Sequence, residues 1–150
     1  MDEFPDIQNF GDFWGKSVFH CPYCHAWEVC DEPLAVVGNG ETGIEMVSLL
    51  KNWSADLVLC TNGTNEKIAR HGILIRPKQT LRSNLAEKLG CELNEFNLIK
   101  TTNVFNETSV KGVYAAGDIT SPMQAIAAAV FQGSAAASGL NHALIMEDFV

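Results

Sequence analysis

Residues 20–25 read His-Cys-Pro-Tyr-Cys-His, two thiols two residues apart with an imidazole on either side. Three chemistries use this spacing: a dithiol/disulfide redox couple, a zinc site, and the thioether anchor of c-type haem. Zinc takes four donors arranged as a tetrahedron. His20 and His25 adjoin Cys21 and Cys24 directly, which strains joint ligation, and the chain has no second C-x-x-C; no metal ligands are assigned. Haem attachment requires export and an axial partner, and the start, MDEFPDIQNF, lacks the basic and apolar regions of a signal peptide. A vicinal dithiol can instead close a small disulfide, with a neighbouring imidazole stabilising one thiolate. His25 is the candidate general acid and base for that exchange. Cys30, Cys60 and Cys91 read as small core residues.

Two further stretches carry nucleotide chemistry. Gly38-Asn39-Gly40-Glu41-Thr42-Gly43 fits G-x-G-x-x-G between an apolar strand and a helix. In that setting Gly38 permits the tight turn, Gly40 lets backbone N–H groups reach a pyrophosphate, and Gly43 lets helix and strand pack. The acid expected about twenty residues on to read a ribose is missing. Residues 60–63 are Cys-Thr-Asn-Gly, with neither that acid nor an arginine for a 2′-phosphate, so NAD and NADP both stay open. In TSVKGVYAAGDIT, a strand ending at Gly117-Asp118 would put a carboxylate at the carboxyl edge of a sheet, although Gly-Asp is also an ordinary turn.

The elements that must hold these residues alternate between strand and helix. Residues 1–16, broken by Pro5, Gly11 and Gly15, read as an irregular lead-in. Strands are expected at 34–37, at 55–60 (of buried type) and at 73–76. The helix after the glycine turn should bury Ile44, Val47 and Leu50, and a short polar helix is expected around 65–70. Another runs from Ser83, an N-cap, to Leu89, where Gly90 stops it. A strand over GVYAAGD and a long alanine-rich helix from Pro122 to Leu144 complete the series. Alternation of this kind implies a parallel sheet, hence an α/β chain.

At 150 residues and 47% hydrophobic content, the chain supports one ordinary globular core. A net charge of −8 argues against nucleic acid as a partner, since phosphate binding needs a basic face. No apolar run approaches a membrane span. Five cysteines, an odd number, with no signal peptide, point to a cytoplasmic protein without a disulfide framework.

Taken in order, FHCPYCHAWE, VVGNGETG, GVYAAGD and MQAIAAAV resemble the low-molecular-weight thioredoxin reductase family of flavin-dependent disulfide oxidoreductases, from about Gly11 to Leu144. Gly38 follows Cys21 by 17 residues, as in that family. HCPYCH is most similar to a branch that includes dithiol oxidases, with histidine after the second cysteine where thioredoxin reductases proper carry aspartate. The resemblance implies FAD and NAD(P)H as cofactors. It would place Gly117 and Asp118 at the flavin's ribityl and pyrophosphate region, and Met123, Gln124 and Ala125 beside its isoalloxazine ring. It also implies a homodimer. By analogy, Cys24 would face the flavin and Cys21 would attack a protein or small-molecule disulfide or dithiol substrate.

Two departures from the family bear on activity. Nothing before Cys21 supplies the glycine-rich unit that holds the adenosine half of FAD, and family members are roughly twice this length, a two-domain size. Between ILIR and PKQTLRSNLAEKLGCEL the chain passes directly from the nicotinamide domain into the returning flavin domain. The expected organisation is a lead-in with the redox pair at 1–32, a partial NAD(P)-binding βαβ domain at 33–78 and the C-terminal part of a FAD-binding domain at 79–150. That is a partial doubly wound, Rossmann-like parallel sheet with flanking helices. The expected function is FAD- and NAD(P)H-dependent disulfide oxidoreduction through Cys21 and Cys24, with both cofactors weakened or lost. The alternatives are a flavin-dependent dithiol oxidase using oxygen and a non-catalytic remnant or binding module.

Overall fold

The computed structural model describes residues 2–63 and 67–148. They divide into two compact units, Asp2–Gln79 and the segment from Thr80 onward. Residues 2–32 lie in the same unit as 33–79.

The first unit is built on a four-stranded parallel sheet in the order β2 (Val18–Phe19), β5 (Gly72–Ile75), β3 (Leu34–Val37) and β4 (Leu57–Cys60). A two-residue antiparallel pair, β1 (Asp2–Glu3) with β6 (Lys78–Gln79), joins the two ends of this unit. Strand side chains alternate between faces, and two cores form accordingly. On one face Phe19, Leu34, Val36 and Leu74 pack with Met46 and Leu50 of α3 (Gly40–Leu50) and with Ala26 and Val29. On the other, Val18 and Ile75 pack with Phe10 of α1 (Phe10–Phe13), backed by Trp14. Covering both faces is what a parallel sheet requires.

The α/β reading holds, with local corrections. β3 falls on 34–37 as expected, but α3 buries Gly43, Met46 and Leu50 with Val47 half-buried, while Ile44 is 61% exposed. The inward face is thus set about half a turn away from Ile44. β4 is half-buried throughout and, among the described residues, pairs only with β3, so it is an edge strand. β2 lies within a stretch left without structure in the sequence reading. Residues 67–70 form no helix, and the rest of that expected helix, 64–66, lies outside the described residues.

In the second unit, α4 (Leu85–Lys88) is shorter than expected. Ser83 accepts the Leu85 N–H at 3.2 Å, and Gly90, at φ +81°, ends the helix as Cys91 N–H donates to the Ala86 carbonyl. The asparagine-rich stretch makes side-chain turns: Asn94 Oδ1 accepts from Phe96 and Leu98, and Asn103 Oδ1 from Phe105 and Glu107. GVYAAGD is not a strand. Only an isolated antiparallel bridge, Glu107 to Tyr114, is made there, because no neighbouring ladder extends it. The long helix, α5 (Ile126–Asp148), starts four residues beyond Pro122 and continues past Leu144. It buries Ala136 and Gly139, and Gly139 lies so close under Phe105 and Tyr114 that an added Cβ would come within 2.5 Å and 3.1 Å of them. Ile126, Val130 and Phe131 of α5 are exposed.

Candidate functional site

All four strands of the larger sheet run parallel, so their carboxyl ends emerge along one edge, the usual ligand-binding edge of such sheets. β2 delivers His20 and Cys21 there, β5 delivers Arg76, β3 delivers Gly38, and β4 ends at Cys60. The dithiol turn and the glycine loop therefore share an edge, with the end of β5 between them.

The turn's geometry follows from its residues. Cys21 has an extended backbone at the start of α2 (Pro22–His25), and Pro22 takes the first helical position, which its fixed φ suits. The Cys24 and His25 N–H groups both donate to the Cys21 carbonyl, at 3.3 and 3.2 Å, closing the turn tightly. This brings the sulfurs to 2.8 Å, with Cys24 Sγ–H donating to Cys21 Sγ; both are free thiols, Cys24 exposed and Cys21 half-buried. That hydrogen bond, with smaller contributions from desolvation and from the neighbouring Cys21 charge, pushes the Cys24 thiol above its ordinary range.

The two imidazoles point to different aromatic neighbours. His20 stacks on Trp14, with ring centroids 5.7 Å apart, and His25 stacks on the buried Phe19 at 4.9 Å. His25 Nδ1 also lies 3.3 Å from Glu28 Oε1. Among the described residues no group of three or more metal-binding side chains is arranged to hold an ion. Of the remaining cysteines, Cys91 is buried and Cys30 and Cys60 are half-buried, so only Cys91 is a full core residue.

At the glycine loop the three glycines serve distinct ends. Gly40 has φ +58° and open space around it, which leaves the backbone approachable. Gly43 faces Gly38 and Leu59 so closely that an added Cβ would lie 3.0 Å from the Gly38 carbonyl carbon and 3.1 Å from Leu59 Cδ1. The Gly38 N–H donates to the Cys60 carbonyl at 3.2 Å, tying the loop to β4. Arg76 is engaged by Glu45 of α3 at 3.6 Å.

In the second unit, Gly117 adopts φ +84° and its N–H donates to Gln132 Oε1 at 2.7 Å. The Thr120 hydroxyl donates to the same oxygen at 3.1 Å. Gln132 thereby fixes the Gly117–Thr120 turn on α5. The exposed Asp118 carboxylate makes no hydrogen bond or ion pair within the described residues, and Met123, Gln124 and Ala125 lie exposed just before α5. The positive-φ Gly117, the unengaged Asp118 carboxylate and the run 123–125 thus lie together at one accessible stretch before α5. The sequence reading missed Phe19, Glu28, Arg76 and Gln132. Only Glu28 carried a signal, its position three residues after His25.

The profile of the family described as pyridine nucleotide-disulphide oxidoreductase matches residues 57–133. Thioredoxin reductase sirT of Leptosphaeria maculans is 29% identical over 195 residues, which covers 93% of this chain and 59% of sirT. Thioredoxin reductase aclD of Aspergillus oryzae is 23% identical, covering 98% of this chain and 62% of aclD. Both alignments are longer than this 150-residue chain, so these relatives carry inserted residues that it lacks. The crystal structure of HlmI superposes with a TM-score of 0.88 at 31% identity, over 99% of this chain and 59% of HlmI. The protein named TrxB from Bacillus anthracis gives 0.85 at 30%, over 98% and 62%. The chain thus spans about three-fifths of the length of the relatives it matches. From the dithiol edge, the glycine loop and the matched profile together, the chain belongs to the pyridine nucleotide-disulphide oxidoreductase family.

Proposed function

We propose that the chain moves electrons between a disulfide or dithiol substrate and FAD through the Cys21–Cys24 pair, with NAD(P)H as the reductant. The observation that carries this reading is the 2.8 Å approach of two free sulfurs in a turn on the same sheet edge as a G-x-G-x-x-G loop. In the reductive direction the Cys21 thiolate attacks a substrate sulfur, forming a mixed disulfide and releasing the other substrate sulfur as a thiolate. His25 gives that thiolate its proton. Cys24 then gives its proton to the now neutral His25 and attacks Cys21, and His25 passes that proton to the second substrate sulfur as it leaves, so that a Cys21–Cys24 disulfide remains. Two electrons and two protons have passed to the substrate.

FAD, when bound, supplies the two-electron exchange that returns the disulfide to the dithiol. Gly117, Asp118, Met123, Gln124 and Ala125 are the residues proposed to hold it. Gly38, Gly40 and Gly43 are those proposed for the nicotinamide nucleotide. The substrate is a disulfide on a protein or a small molecule, and the proposed setting is the cytoplasm.

A second reading, a dithiol oxidase passing electrons to oxygen, is favoured by one observation. β4 ends at Cys60, and Thr61-Asn62-Gly63 follow, with neither acid nor arginine to select a ribose or its phosphate. The experiment that tests the first reading reacts the reduced chain with an aromatic disulfide. Wild type should consume one disulfide per chain and end with Cys21 joined to Cys24, while Cys24→Ser should stop at the mixed disulfide. A Cys21→Ser chain reacting as fast as wild type would overturn it. With FAD added, anaerobic bleaching by NADPH identifies the reductase, and oxygen uptake driven by dithiol alone identifies the oxidase.

A further inference from the structure

His25 is held from two sides. Its ring lies on Phe19 of β2, with centroids 4.9 Å apart and planes 20° from parallel, and Phe19 is itself only 2% exposed. That contact fixes the plane of the imidazole without fixing its rotation within the plane. The second contact does so: Nδ1 lies 3.3 Å from Glu28 Oε1, three residues on, where α2 passes into the 3-10 turn Ala26–Val29. An ionised carboxylate only accepts hydrogen bonds, so His25 must carry its proton on Nδ1 in this contact. Nε2 is then left as the ring's basic nitrogen.

We infer that Glu28 is the positioning residue for His25, selecting the Nδ1–H tautomer and holding Nε2 free for proton exchange at the dithiol. A carboxylate set against one imidazole nitrogen to orient and bias the other is a recurring arrangement. From β2 the neighbour is the apolar Phe19, and the titratable groups of its own turn are the N-cap Cys21 and, in the helix, Tyr23 and Cys24. His20 is occupied on Trp14. Glu28 has 64% of its side chain exposed and makes no other ion pair among the described residues, so its removal leaves no buried group unsatisfied.

This inference rests on the dithiol reading above, and the test separates the two. Nitrogen-15 NMR of His25 reads the tautomer directly, and the pH profile of thiol–disulfide exchange reads its effect. Glu28→Ala should shift His25 toward the Nε2–H tautomer that a free imidazole prefers and slow exchange near neutral pH by about two- to fivefold, the scale of an exposed pair. Glu28→Gln keeps an acceptor oxygen and should restore the tautomer while recovering only part of the rate. In a His25→Ala background, Glu28→Ala should change nothing further. An unchanged His25 tautomer in Glu28→Ala overturns the inference even if His25→Ala is slow. A shifted tautomer with no effect of His25→Ala on exchange leaves Glu28 as the positioning residue and removes His25 from the dithiol chemistry.

Discussion

Gly43→Ala tests whether the glycine loop is held by close packing. Two opposing effects act at this site. Alanine raises helix propensity, worth about 0.5–1 kcal/mol over glycine in a helix interior. Against this, the new methyl would sit 3.0 Å from the Gly38 carbonyl carbon, 3.1 Å from its oxygen and 3.1 Å from Leu59 Cδ1. Leu59 can swing its terminal methyl aside, but the Gly38 contacts are backbone and yield only if α3 and the loop separate by a few tenths of an ångström. Overpacking of this kind costs about 1–3 kcal/mol, so the net expectation is a loss of about 1 kcal/mol. Ser48→Ala, on the exposed side of the same helix, is the control: it makes no such contact and should be neutral or slightly stabilising. Urea unfolding followed by tryptophan fluorescence suits the measurement, because Trp53 packs against the core that α3 completes. The midpoint should fall for Gly43→Ala at unchanged slope. A Gly43→Ala midpoint at or above wild type would show that the helix and loop are not in the tight contact described.

Other outcomes are open to direct measurement. Because Cys24 holds its proton to higher pH, iodoacetamide at neutral pH should label Cys21 first, and Cys24 should follow only above the ordinary thiol range; peptide mass mapping checks the order, and Cys24 labelling first would reverse the assignment. The same direction fixes a linkage: a raised thiol pKa contributes stability that is present below the unfolded value and lost as pH climbs through the folded one. His25→Ala should leave the unfolding midpoint near wild type while slowing disulfide exchange about a hundredfold, read by stopped flow. The purified chain should carry no stoichiometric zinc, and one tightly held ion per chain by elemental analysis would contradict the redox assignment. Gly139→Ala should be destabilising by about 1–3 kcal/mol, since Phe105 Cβ cannot move aside without shifting its backbone.

The strongly patterned parts of the chain were legible in the sequence. β3 and the glycine turn announce themselves because a wholly apolar strand runs straight into a glycine fingerprint and a helix. β2 does not, since two residues, Val18 and Phe19, are too few to show alternation and become a strand only beside β5. Ile44 and Met46 are equally apolar, and the packing of Gly43 against Gly38, not periodicity, decides which turns inward. GVYAAGD has strand composition, yet a strand is a property of a ladder, and the described residues provide only a single bridge. Within the candidate site, Cys21, Cys24 and the glycines were visible as spacing. Gln132 was not, because its hydrogen bonds to Gly117 and Thr120 depend on how α5 returns over that turn.

β2 also sets a parity rule on chain length near the redox pair. Val18 belongs to the core beneath α1, Phe19 to the core beneath α3, and Cys21 follows two residues later. Because side chains alternate along a strand, moving this segment by one position sends Phe19 to the wrong side and inverts the direction in which the turn leaves the sheet. A one-residue insertion or deletion that slips β2 against β5 therefore exchanges Val18 and Phe19 between the two cores, immediately before the dithiol turn. Length variation in this protein should therefore be almost forbidden at Val18–Phe19, and a deletion scan would display this as a sharp loss of stability there.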